Sequence, residues 1–113
     1  MAEEKSTFVE VFGDSPLIRV LDFFLTFRDF DYPLIEISKN SGVAWSTLHQ
    51  IFPKLIRQGM VRETREIGRA KLFMLNKESP IVQQLIEMDN RIMKYFADLD
   101  AGETVAIKVS KKK

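Results

Sequence analysis

The apolar residues of this chain fall into blocks of helical or alternating spacing, separated by glycine, proline and small polar residues. "PLIRVLDFFLTFRDF" follows Asp14 and Ser15, either of which suits a helix N-cap, with Pro16 at the first helical position. A helix over about 16–28 is expected. On its wheel Leu17, Ile18, Val20, Leu21, Phe23, Phe24, Leu25 and Phe27 leave only a narrow stripe of Arg19, Asp22 and Thr26, so it must be covered on several sides. "YPLIEISKNSG" reads as a short second helix ending near Asn40 to Gly42, and "VAWSTLHQIFPKLIRQG" as a third. "MVRETREI" and "AKLFMLN", on either side of "GR", read as two strands joined by a tight turn. "SPIVQQLIEMDNRIMKYFADL" repeats the Ser-Pro start and gives the longest helix, about 80–99. Its main stripe is Ile81, Leu85, Met88, Ile92, Tyr95, Phe96 and Leu99, with Val82, Ile86 and Met93 as a second shoulder. Two short alternating segments, 8–12 and 104–109, read as strands that pair with each other or with a second subunit.

Three helices followed by a two-stranded hairpin is the order of a winged helix-turn-helix. Residues 34–53, "LIEISKNSGVAWSTLHQIFP", carry its requirements: Gly42 for the sharp turn, and Ile37, Val43, Leu48 and Ile51 to lock the two helices together. The fold class expected is mainly α within α+β, with a three-helix core, a two-stranded wing and a long C-terminal dimerisation helix. With 113 residues the chain is one domain, its core about 14–77, the dimerisation helix about 80–99 and a basic tail at 108–113.

Composition narrows the classes. Hydrophobic residues make up 45% and charged residues 29%, as in a soluble globular protein, and no apolar run approaches the roughly 18 residues of a membrane span. The start, "MAEEKST", is acidic and unlike a secretory signal, so an intracellular, cytoplasmic protein is expected. There is no cysteine and a lone histidine, His49, which excludes disulfides and thiolate or histidine-cluster metal sites; no metal or cofactor is expected. Net charge is +1, but unevenly spread: residues 1–38 sum to −5 and residues 39–77 to +6. A basic segment inside a nearly neutral chain fits a surface that meets a polyanion; the alternative is a solvated charged face.

Residues 12–95, through "GVAWSTLHQIFPKLIRQGMV" and "GRAKLFMLN", resemble small archaeal winged helix-turn-helix proteins of the MarR-like and ArsR-like kind. Ser38 stands where such proteins carry a small residue, while Pro53 departs from their recognition helix. The resemblance implies a DNA-binding transcription regulator, with the helix at 44–58 in the major groove and the hairpin at 61–75 as the wing.

On the wheel for 45–58, Leu48, Ile51, Phe52 and Leu55 point inward and Ser46, His49, Gln50, Pro53, Lys54 and Arg57 outward. Ser46, His49 and Gln50 are candidates for base contact, Thr47 for bases or phosphates, and Lys54 and Arg57 for phosphates. Trp45 is a DNA-contact candidate by position, although the wheel puts it beside Phe52 and Ile56 and favours partial burial. Arg65, Arg69 and Lys71 on the hairpin suit the minor groove or phosphates, and Arg62 has Glu63 and Glu66 as possible partners. An outward Pro53 leaves the His49 carbonyl facing water, so its cost falls below that of a buried orphan; it either bends the helix toward the backbone or is a tolerated surface residue. The stripe Ile81, Leu85, Met88, Ile92, Tyr95, Phe96 and Leu99 is the expected homodimer contact, which would place two recognition helices about 34 Å apart, or a multiple, over a palindromic site.

No glycine-rich phosphate loop, no nucleophile with a histidine base and no placed acid pair is present, so an enzyme is not expected. Asp29 and Asp31 in "FRDFDYP" read as a polar turn. No residue pattern marks a small-molecule effector. Two other classes compete with the regulator: a DNA-binding protein of architectural or plasmid-maintenance type, with little sequence preference, and a winged-helix module for protein contacts, whose basic residues would be scattered.

Overall fold

The computed structural model describes residues 5–102, and the expected strand at 104–109 and basic tail at 108–113 lie outside them. The elements run α1 (Thr7–Phe12), α2 (Pro16–Thr26), β1 (Tyr32–Pro33), α3 (Leu34–Ser41), α4 (Trp45–Arg57), β2 (Val61–Ile67), β3 (Ala70–Leu75) and α5 (Pro80–Ala101). This is an α+β fold with one small antiparallel sheet, ordered β1-β3-β2.

Three serines start helices in the same way. Ser6, Ser15 and Ser79 each accept a hydrogen bond from the amide three residues on, those of Val9, Ile18 and Val82, and proline follows at the first position of α2 and α5. Each such cap stabilises its helix by about 1 kcal/mol. The segment 8–12, expected as a strand, is instead the helix α1. Phe8 and Val9 are adjacent and both buried, while Val11 and Phe12 are exposed, a grouping that a helix allows and the alternating faces of a strand do not.

α2 forms the centre of the core. Val20, Phe24 and Leu25 are fully buried, and around them close Phe8 from α1, Ile37 from α3, Leu48, Phe52 and Leu55 from α4, Val61 and Leu75 from the hairpin, and Val82 from α5. Burying each such side chain contributes about 1.5–3 kcal/mol. Phe52 is the hinge pin of the packing, with its ring 6.2 Å from that of Phe24 and 4.9 Å from that of Phe73 in an edge-on contact.

The two-stranded hairpin gains a third, two-residue strand: β1 pairs with β3, placing Tyr32 opposite Phe73. Between β2 and β3 the register slips once, Glu63 facing Phe73 and Arg65 facing Leu72, so Thr64 is the extra residue of a bulge. At the tip, Gly68 has φ +62° while Arg69 keeps a negative φ, the sign pattern of a type II′ turn, whose twist suits a hairpin.

α5 is 22 residues long, about 33 Å. Its inward face is Val82, Asp89 and Ile92, with Leu85, Ile86 and Phe96 partly covered. Ile92, expected in a dimer contact, is 8% exposed and belongs to the chain's own core. The exposed apolar residues are Ile81, Met88 and Tyr95, seven positions apart and 47–61% exposed, together with Met93.

Candidate nucleic-acid interface

The turn between α3 and α4 is built around Gly42, the only residue type that adopts its φ of +74° at little cost. Its amide donates to the Ser38 carbonyl at 3.1 Å, ending α3, and the Ser38 hydroxyl donates to the Val43 carbonyl at 2.6 Å, closing the turn from the other side. Ile37, Val43 and Leu48 are buried where the helices meet, and Ile51 is partly covered. The Arg19 guanidinium lies over the glycine: a Cβ on Gly42 would stand 2.7 Å from Arg19 Nη1. Asp14 grips Arg19 through both Nε and Nη2, and Lys5 approaches the same carboxylate at 3.4 Å. The Arg19 hydrogen bonds are the main reason the Asp14 carboxyl lies well down, at about 2.

α4 runs unbroken through Pro53, which is exposed. Ser46, Gln50, Pro53 and Arg57 form an exposed ridge down its outer side, with Lys54 beside them. Thr47 is half-buried. Trp45 is 50% exposed, so the partial burial favoured by the wheel is only half met; its ring rests on His49, centroids 4.3 Å apart, rather than in the core. His49 Nδ1 lies 3.0 Å from the Trp45 carbonyl oxygen. Because a carbonyl only accepts, Nδ1 is the donor in this contact. Between α4 and the sheet runs an apolar groove of about 310 Å³, lined by Leu34, Phe52, Pro53, Ile56 and Phe73 together with His49 and Arg57.

The candidate cations of α4 and the hairpin differ in whether an acid holds them. Arg65 is held by Asp31, Nε to Oδ2 at 2.9 Å and Nη2 to Oδ1 at 3.1 Å, and Lys77 by Asp29 at 2.7 Å. Arg65, expected as a DNA contact, therefore has its charge matched within the chain, because the Thr64 bulge turns it toward the residue preceding β1. Among the described residues Lys54, Arg57, Arg69 and Lys71 make no ion pair, and all four are exposed. Arg62 reaches the Met74 sulfur at 3.9 Å rather than either glutamate.

Sequence reasoning missed the importance of residues 28–31. Arg28 turns to α5, reaching Asp89 at 3.7 Å and Asn90 at 3.4 Å; Asp29 holds Lys77; Asp31 accepts from Arg65 and from the Thr64 hydroxyl. These hydrogen bonds, Arg65 first and Thr64 second, hold the Asp31 carboxyl at about 2. The only hint in the sequence was a cluster of charge in a short connector.

Among the described residues no cluster of His, Asp or Glu could hold a metal ion, and no helix is long and apolar enough to cross a membrane. No protein-family model, curated protein or solved structure matches this chain.

Proposed function

We propose that the chain is a winged helix-turn-helix protein that binds duplex DNA as a homodimer and regulates transcription. α4 is its recognition helix and the β2–β3 hairpin its wing, as in the archaeal regulators its sequence resembles. The observation that carries this reading is the ridge Ser46, Gln50, Pro53 and Arg57, exposed on the helix that follows the Gly42 turn. A ridge of hydroxyl, amide and cation on an uncovered helix has the chemistry to meet base edges first and phosphates after. Lys54, Arg57, Arg69 and Lys71, which make no ion pair among the described residues, supply the attraction to the backbone.

The mate is seated on α5. Ile81, Met88 and Tyr95 repeat every seven residues, the spacing at which one stripe of a helix meets another, and the first two, with Leu85 and with Phe12 of α1, border an apolar groove of about 550 Å³. Ile92, Leu85 and Phe96 serve mainly the parent core.

A second reading draws on the apolar groove beside Pro53: a module that takes a protein segment between α4 and the sheet. Fluorescence anisotropy of the full chain against labelled duplex DNA, titrated from ~50 mM to ~200 mM salt, separates the two. Binding that weakens steeply with salt, with a slope reduced by about 1 in Arg57→Ala and again in Arg69→Ala, supports the DNA reading. Absence of binding at the lowest salt overturns it and leaves the protein-contact module.

A further inference from the structure

We infer that the DNA target is A·T-rich at the positions this chain reads, with Gln50 and Pro53 as the specificity-determining residues in the major groove and Arg69 in the minor groove. The inference deepens the DNA-binding reading above and rests on it.

Guanine is read chiefly by the paired donors of arginine or lysine at its O6 and N7. The base-reading turns of α4, Trp45 to Pro53, contain neither; Lys54 and Arg57 follow in the last turn. What those turns expose instead is Ser46, His49 and Gln50. Gln50 presents one donor and one acceptor side by side, the match for N7 and N6 of adenine. His49 stands beside it with Nδ1 given to the Trp45 carbonyl, and brings no paired donors of the arginine kind to guanine.

Pro53 completes the set. It lies on the same ridge, three residues beyond Gln50 and thus about 4.5 Å further along the helix, close to the spacing of adjacent base pairs. Its ring offers only C–H surface, and the one apolar group that the major groove displays is the C5 methyl of thymine. A proline on an exposed helix face, costly for the helix itself, gains a role as a methyl contact. The hairpin tip points the same way independently. Arg69 stands at the turn with no acidic partner among the described residues, and the narrow, strongly negative minor groove of A-tracts is where an inserted arginine is held best.

The test is selection by the full-length protein from a randomised duplex pool, followed by affinities on the selected duplex. A·T base pairs should be enriched at the read positions. Replacing the contacted thymine by deoxyuracil, which removes only the methyl, should weaken binding about fourfold, the worth of one buried methyl-sized group. Pro53→Ser should be insensitive to that replacement, and Gln50→Arg should move the preference at its position to G·C by about tenfold or more. Enrichment of G·C, or salt-sensitive binding with no base preference, would overturn the inference while leaving the DNA-binding reading intact. No binding to any duplex at low salt would remove both.

Discussion

Asp31 and Arg65 meet as a two-pronged ion pair across 34 positions of sequence, with Thr64 donating to the same carboxylate. The pair fastens the base of the hairpin to the connector that precedes β1. Since the folded Asp31 carboxyl sits at about 2 against an ordinary 3.8, its contribution to stability is fully present above about pH 4 and fades as pH falls toward 2. The difference in melting temperature between the wild type and Asp31→Asn should therefore be constant at neutral pH and shrink across that acidic window. Circular dichroism melts at stepped pH read this directly; an unchanged gap down to pH 2 would mean the pair is not anchoring the hairpin.

Asp89 should behave in the opposite sense. It is 5% exposed, and burial raises its carboxyl above 3.8, with Arg28 at 3.7 Å only partly offsetting this. A group with a raised folded value costs nothing while both states hold the proton, and its cost grows as pH climbs through that value. Asp89→Asn is expected to raise stability toward urea at pH 7 and to lose that advantage below about pH 4. Arg28 keeps partners in Asn90 and the Leu25 carbonyl, so the substitution does not strand it.

Gly42 and Gly59 share a φ of +74° but not their surroundings. Alanine at either is expected to cost about 1–2 kcal/mol for the left-handed backbone alone. At Gly59 nothing lies within 4 Å of the added Cβ, whereas at Gly42 the Arg19 guanidinium, gripped by Asp14, has to move aside. Gly42→Ala should thus be the more destabilising in urea unfolding, and its excess over Gly59→Ala should disappear when both are made in an Arg19→Ala background.

The exposed repeat on α5 predicts a separation of folding from assembly. Ile81→Lys with Met88→Lys should shift the protein to monomer in sedimentation while its unfolding curve at low protein concentration stays within about 0.5 kcal/mol, as for surface substitutions. Val82→Ala, one residue away but fully buried, should lower stability by about 1–2 kcal/mol through lost burial and leave the surface stripe intact. A dimer that survives both lysines would place the subunit contact elsewhere.

What could be seen in the sequence was mostly what local chemistry decides. Ser15 with Pro16 and Ser79 with Pro80 marked two helix starts, Gly42 marked the turn, and the Gly68–Arg69 pair marked the hairpin, because each satisfies a backbone need within a few residues. α1 was misread because six residues are too few for alternation and helical spacing to differ clearly. β1 was invisible, since a two-residue strand exists only by virtue of a neighbour 40 positions away. The same holds for the site: the outward ridge of α4 follows from its own wheel, but the loss of Arg65 to Asp31 depends on a bulge and on a connector that no local pattern links to it. Trp45 escaped because its partner is His49, on its own helix, rather than the core.

Residues 28–31 are tied to three separate parts of the chain: Arg28 to α5, Asp29 to the segment after β3, Asp31 to the hairpin. Such a connector works as a common mooring. Strain introduced at any one line is shared by the others, so a mate leaning on α5 and a duplex leaning on the hairpin would influence each other's grip by the same factor in both directions. On the proposed reading, three residues in a short connector would then set how strongly assembly and DNA grip are coupled.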